Sequence, residues 1–194
     1  RQQDPLLAPE LAQYNLEFNS LPLPLAGRPF SAMQAGLEAL WQRTAKAAAE
    51  NRARLAMIGI LPSLLPEHLS LDRMSQLHRY QALNEQVLLL RNRRPLTLDI
   101  EGEERLHLQK GDVMFESAAT SLQLHLQVSP REAPRFYNAS VLASAITVAV
   151  AANSPYLFGR RLWEETRIPL FEQAVAVSPA NGGHAGPYAR VSFG

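Results

Sequence analysis

Apolar and polar positions alternate along two stretches of this chain. From Tyr14 onward in Glu10–Ser20, Tyr14, Leu16 and Phe18 point one way and Asn15, Glu17 and Asn19 the other, the period-two pattern of a half-buried strand with a polar face. Ser121–Val128 alternates for eight residues, with Leu122, Leu124, Leu126 and Val128 inward and Gln123, His125 and Gln127 opposite. Between them, Leu55–Leu61 is a seven-residue apolar run ended by Pro62, the pattern of a strand covered on both faces. Leu96–Ile100 and Arg105–Gln109, joined through Glu101-Gly-Glu-Glu, predict a β-hairpin.

Helical spacing fills the intervals. Met33, Leu37, Leu40 and Trp41 form the apolar stripe of a helix over about Ala32–Ala53, with Ser31 as N-cap and cations from Lys46 to Arg54 at the end the helix dipole favours. Tyr80, Leu83, Val87 and Leu90 predict a second helix over Arg79–Arg91, and Pro62–Ser75 before it reads as a loop. A third helix, rich in small residues, is expected from Arg135 to Ala152, stopped by Asn153-Ser-Pro. A fourth is expected over Leu162–Val175, strained near Pro169; Ser178–Gly186 reads as loop and Tyr188–Phe193 as the start of a strand. Separated strands with helices between them give the α+β class, mostly antiparallel.

Composition narrows the function classes. With 46% hydrophobic residues in 194 the chain has material for a sizeable core. Nineteen Lys+Arg against eighteen Asp+Glu leave a charge of +1, too little for a field that holds nucleic acid. There is no cysteine, which excludes disulfides and thiolate chemistry and fits a reducing cytoplasm. The longest apolar run, the twelve residues Val141–Ala152, falls short of the ~18–20 of a membrane span, so no membrane partner is expected. The termini, beginning Arg-Gln-Gln-Asp-Pro and ending Val-Ser-Phe-Gly, read as those of a fragment.

The candidate chemistry sits on the two polar strand faces. Were they to line one cavity, Glu17 and His125 would supply an oxygen and an imidazole to a divalent cation, and Glu10 a second carboxylate. Strict alternation puts Glu10 opposite Glu17, so a bulge or bend near Leu11–Gln13 is needed to unite them. The same residues also fit a plain solvated face. Arg160 and Arg161, after Gly159, could hold phosphate or carboxylate oxygens or stand solvated. His68, His78, His107 and His184 lack partners at ligand spacing and read as surface residues.

Three segments in order, Glu10-Leu-Ala-Gln-Tyr-Asn-Leu-Glu-Phe-Asn, Ala119-Thr-Ser-Leu-Gln-Leu-His-Leu-Gln-Val and Ala151-Ala-Asn-Ser-Pro-Tyr-Leu-Phe-Gly-Arg-Arg, resemble the glutamate-cysteine ligase-type carboxylate-amine ligases of the glutamine synthetase-like superfamily. The resemblance implies a glutamine synthetase-like fold, an antiparallel sheet curved around a funnel, in a single, incomplete catalytic domain over 1–194. It implies an ATP-dependent ligase that phosphorylates a carboxylate and lets an amine attack the acyl phosphate, with Mg²⁺ holding the phosphates. Amino-acid and amine substrates are the implied partners, a homo-oligomer is compatible, and the cytoplasm is the implied compartment.

Under the resemblance Glu10, Glu17 and His125 match metal-binding positions, His125 and Gln123 would face the cofactor, and His125, Arg160 and Arg161 would serve catalysis. The sequence departs from the family pattern in three places. Gln123 replaces the first histidine of the His-x-His strand, and both the opening Glu-x-Glu strand and a late Glu/Arg strand are absent. These departures support an alternative reading, a non-catalytic nucleotide or amino-acid binding domain built on the same fold.

Overall fold

The computed structural model describes residues 4–176. Internal packing divides the chain between Met57 and Ile58 into two compact units. The first contains a short antiparallel hairpin, β1 (Leu7–Pro9) and β2 (Leu16–Phe18), and a long helix, α1 (Pro29–Glu50). Helix α1 starts two residues ahead of the expected Ser31 cap. Pro29 occupies its first turn, and no side chain caps it; proline tolerates that position because its missing N–H would have no partner there. Leu40 is buried on the inner side, and Thr44 one turn later donates its hydroxyl to the Leu40 carbonyl at 2.8 Å. Helix and hairpin are joined by the Phe18 and Trp41 rings, centroids 5.9 Å apart, and by Arg43 Nη2 against Asp4 Oδ2 at 3.2 Å.

The second unit is built on the hairpin β3 (Leu96–Glu101) and β4 (Arg105–Lys110), in the register expected from the alternation. Its inward residues Leu96, Leu98 and Ile100 are at most 1% exposed. Helix α4 (Arg167–Ala174) packs on β3 and on a 3₁₀ turn over Val113–Ala118. Together they bury Val113, Met114, Phe115 and Leu170. Gln173 on α4 extends the strand: its Oε1 accepts the Asp99 N–H at 2.7 Å and its Nε2 donates to the Asp99 carbonyl at 3.1 Å. Helix α2 (His78–Leu90) approaches the same turn, where Asn84 Oδ1 accepts the Val113 N–H. Helix α3 (Ala133–Ala151) and a two-residue-strand hairpin, β5 (Tyr156–Leu157) with β6 (Arg160–Arg161), complete the described elements.

Helices and antiparallel strands thus share the chain, as the α+β reading requires, but the strands form three separate two-stranded sheets among the described residues. Two expected strands are corrected. Leu55–Leu61 forms no strand: Met57 is 80% exposed, and only Gly59 and Ile60 are buried, Ile60 in an isolated bridge to Ala119. Ser121–Val128 has no ladder partner among the described residues, and Leu122, Leu124 and Leu126 face solvent. A hydrophobic pattern states a preference for burial, but a strand exists only where a second backbone supplies its hydrogen bonds.

Two helical expectations also shift. The fourth helix begins at Arg167 rather than Leu162 because residues 162–166 are held by backbone bonds to Ser154 and Pro155. The loop over Pro62–Ser75 contains two short 3₁₀ turns, Pro66–His68 and Leu71–Arg73. Residues 178–193, read above as loop and strand, and His184 lie outside the described residues.

Candidate functional site

In the first unit the chain reverses between β1 and β2, and the reversal decides where the two glutamates point. The register pairs Ala8 with Glu17 and Pro9 with Leu16. It continues beyond the strands on both sides, with the Glu10 N–H on the Asn15 carbonyl at 3.4 Å and the Asn19 N–H on the Leu6 carbonyl at 2.8 Å. Residues that face one another across an antiparallel pair share a side, and so do residues two apart along a strand. Glu10, Asn15, Glu17 and Asn19 therefore occupy one face. Alternation along a single strand had put Glu10 opposite Glu17; a hairpin turn through Leu11–Tyr14 supplies the required bend and makes them diagonal neighbours, roughly 7–8 Å apart at the backbone.

Both glutamates are half-buried. Glu10 Oε2 accepts the Leu11 N–H at 3.1 Å, which turns that carboxylate toward its own backbone. The opposite face is less covered than its apolar letters imply. Tyr14 is 46% and Leu16 42% exposed, while Phe18 is held by Trp41.

His125 and Gln123 lie in the second unit, on the bare extended segment. His125 Nε2 and Gln123 Oε1 are 3.2 Å apart, so the two side chains share a face, as alternation requires. The root of this segment is fixed. Thr120 donates its N–H to the Gly59 carbonyl at 2.8 Å and its hydroxyl to the Ile58 carbonyl, and it accepts Arg167 Nη1 at 2.8 Å.

Arg160 and Arg161 form β6, turned back from β5 by Phe158 and Gly159, whose φ values are 51° and 75°. Two successive positive φ angles make the mirror-image turn that matches strand twist, and glycine adopts the second without a steric cost. Both guanidinium groups already have carboxylate partners. Arg160 Nη1 lies 3.0 Å from Glu104 Oε1, and Arg161 lies 3.1 Å from Glu103 and 3.2 Å from Glu164. The Arg161 N–H also donates to Glu104 Oε2 at 2.8 Å. That bond, followed by the Arg160 guanidinium, holds the Glu104 carboxyl below its ordinary pKa. Glu164, then the Glu103 charge, raises that of Arg161. An anion binding here would displace these partners rather than meet free cations.

The sequence gives no sign of one largely buried ion pair beside the Asn-Ser-Pro segment. Arg167 donates through Nε and Nη2 to the two oxygens of Glu165, both at 2.6 Å. The Glu165 side chain is only 9% exposed. Its carboxyl is held below the ordinary value by Arg167 first, against the opposing effect of burial. Around the pair, Ser154 Oγ donates to Asn153 Oδ1 at 3.0 Å, and the Thr166 N–H reaches the Ser154 carbonyl at 3.1 Å. A Cβ on Gly59 would lie 2.1 Å from Ser154 Oγ and 2.6 Å from Asn153 Oδ1. The Asn-Ser-Pro segment, the root of the His125 arm and the start of α4 thus meet in one polar knot. The only sequence signal for it is the Asn153-Ser-Pro motif; nothing in the spacing of Glu165 and Arg167 marks them as more than solvated charges.

In a comparison against known families, the model of glutamate-cysteine ligase family 2 matches residues 4–186. The chain belongs to glutamate-cysteine ligase family 2. No curated protein and no solved structure gives a significant match. The match takes in both compact units, the Glu10/Glu17 hairpin as well as the polar knot.

Membership of a ligase family raises the question of a divalent cation. Among the described residues of this family member, no three or more of His, Cys, Asp and Glu cluster as an ion's own cage. The Glu10/Glu17 face meets a lesser demand. Mg²⁺ keeps several waters and is commonly held by one or two carboxylates together with substrate phosphates, and a pair of carboxylates on one hairpin face suits that role.

Among the described residues, no helix is long and apolar enough to cross a membrane.

Proposed function

We propose that this member of glutamate-cysteine ligase family 2 is an ATP-dependent carboxylate-amine ligase. The observation that supports the reading best is the shared face of Glu10 and Glu17 in a chain matched by the family over residues 4–186. In this reading the γ-phosphoryl group of ATP passes to the carboxylate of an amino-acid substrate, giving an acyl phosphate and ADP. The amine then attacks the acyl carbon and phosphate leaves as the amide forms. Bound Mg²⁺ would neutralise the charge of the phosphates.

Each residue has a defined part. Glu10 and Glu17 would hold the cation, with Glu17 the main ligand because the Glu10 carboxylate also accepts a backbone N–H. His125, oriented by Gln123, and Gln123 itself face the nucleotide phosphates. Arg160 and Arg161 form the rim for the acidic substrate, exchanging Glu104, Glu103 and Glu164 for the substrate carboxylate. We assign this ATP-consuming activity to the cytoplasm, a compartment with which a chain without cysteine is compatible.

The test is release of ADP from Mg²⁺-ATP by the full chain, supplied with glutamate and a panel of amines. Turnover that needs both substrates and falls strongly in Glu17→Gln, at unchanged thermal stability, supports the reading. Unchanged turnover in Glu17→Gln removes that residue from the mechanism. Calorimetric binding of Mg²⁺-ATP or an amino acid without ADP release across the panel would identify a non-catalytic binding domain, which the substitution of Gln123 for a histidine favours.

A further inference from the structure

The two arginines of β6 are held unequally. Among the described residues Arg160 has one carboxylate partner, Glu104 at 3.0 Å, and the two side chains are 55% and 42% exposed. Arg161 has two, Glu103 at 3.1 Å and Glu164 at 3.2 Å. An incoming anion therefore displaces one solvated carboxylate at Arg160 but two at Arg161. We infer that Glu104 is a built-in competitor of the acidic substrate, which covers Arg160 until that substrate arrives and so sets how tightly the site takes a carboxylate. The inference deepens the ligase reading and rests on it for the class of ligand, an acidic amino acid.

The backbone around Glu104 is tied down independently of its side chain. The Glu104 N–H donates to the Arg161 carbonyl at 2.9 Å and the Glu103 N–H to the Leu162 carbonyl at 3.4 Å. Trp163 Nε1 donates to the Glu101 carbonyl at 2.7 Å. The tip of the β3–β4 hairpin is thus stitched to β6 and to the residues just after it. Its carboxylate competes as a tethered group at high effective concentration, not as a free ion, while an ion pair this exposed is weak enough to exchange. Glu104 Oε2 also accepts the Arg161 N–H at 2.8 Å. A glutamine at this position keeps an oxygen for that bond and gives up the charge.

A tethered competitor lowers the apparent affinity by the fraction of time it leaves the cation free. For a pair as weak as an exposed one, its removal should tighten binding about two- to sixfold. The measurement is a titration of the full chain with glutamate at low ionic strength, followed through the arginine Nε–H signals in NMR and compared with the KM for glutamate in ADP release. Glu104→Gln should lower the glutamate Kd by that factor. Arg160→Gln should raise it, and Glu104→Gln added to Arg160→Gln should bring no further gain, because the competitor has then lost the cation it covers.

Three results would overturn the inference. One is a glutamate Kd equal in the parent and in Glu104→Gln. Another is a gain that persists in the Arg160→Gln background, since loss of any nearby negative charge would then explain it. The third is no glutamate binding by either folded protein. Failure of the ligase reading looks different: the pattern of affinities holds, yet no amine brings ADP release. Turnover whose KM for glutamate is indifferent to Glu104→Gln defeats the inference and leaves the ligase reading standing.

Discussion

Arg167 grips Glu165 with two parallel bonds of 2.6 Å, and its remaining nitrogen donates to the Thr120 carbonyl. One side chain thus ties the first turn of α4 to the buried glutamate before it and to the root of the arm that carries His125. A fork of this shape suits arginine and not lysine, whose single ammonium cannot bond both carboxylate oxygens in parallel and reach a carbonyl behind them. Arg167→Ala leaves the Glu165 carboxylate desolvated and unpaired. It should destabilise the protein by about 2–3 kcal/mol, with Arg167→Lys intermediate, as measured by urea unfolding.

The same pair sets an acid limit. Because the folded-state pKa of Glu165 lies below its ordinary value, the unfolded chain binds the proton more readily, and the stabilisation is complete above the unfolded carboxylate pKa of about 4.3. It is lost as pH falls from there through the lower folded value. Glu165→Gln should be less stable than the parent at neutral pH, and the difference should narrow between pH 5 and pH 3. Thermal midpoints across that range check the sign; a gap that widens toward acid would contradict it.

Glu104 acts on a smaller scale because it is solvent-exposed. Its carboxylate bonds the Arg160 guanidinium and the Arg161 backbone N–H together. Glu104→Ala should leave global stability nearly unchanged yet accelerate hydrogen exchange at the Arg161 amide, since the β5–β6 hairpin then loses one of its ties to the β3–β4 turn. Equal protection in both proteins would show that the backbone bond between Glu104 N–H and the Arg161 carbonyl suffices.

Two glycines should respond differently to alanine. At Gly102 the added Cβ would meet the backbone of Leu162 at 2.5–2.6 Å, and backbone held in a hairpin cannot withdraw; at Gly59 the nearest atoms belong to the side chains of Ser154 and Asn153. Gly102→Ala should cost about 1–3 kcal/mol or more. Gly59→Ala should cost less wherever Ser154 can rotate, and chemical denaturation of the two variants side by side tests the order.

The helices and the β3–β4 hairpin were legible in the letters because their signals are local: 3.6-residue apolar spacing, alternation across Glu101-Gly-Glu-Glu, and the Asn153-Ser-Pro stop. The polar knot was not, because Glu165 and Arg167 look like any exposed charged pair until burial and the approach of Gly59 and Thr120 give them partners. The strand expected at Leu55–Leu61 failed for the converse reason, since an apolar run carries no information about which backbone will pair with it.

By itself the sequence determined which residues share a face within a segment: Asn15, Glu17 and Asn19 together, and Gln123 with His125. Period-two geometry is a property of any extended backbone, so those assignments needed no fold. Only the tertiary structure decided which segments meet. It folded Glu10 back onto the face of Glu17 through a hairpin turn, engaged Arg160 and Arg161 with carboxylates from a distant turn, and gave Ser121–Val128 no ladder among the described residues. Pairing partners come from far along the chain, and the hydrogen bonds that select them are satisfied between segments rather than within one.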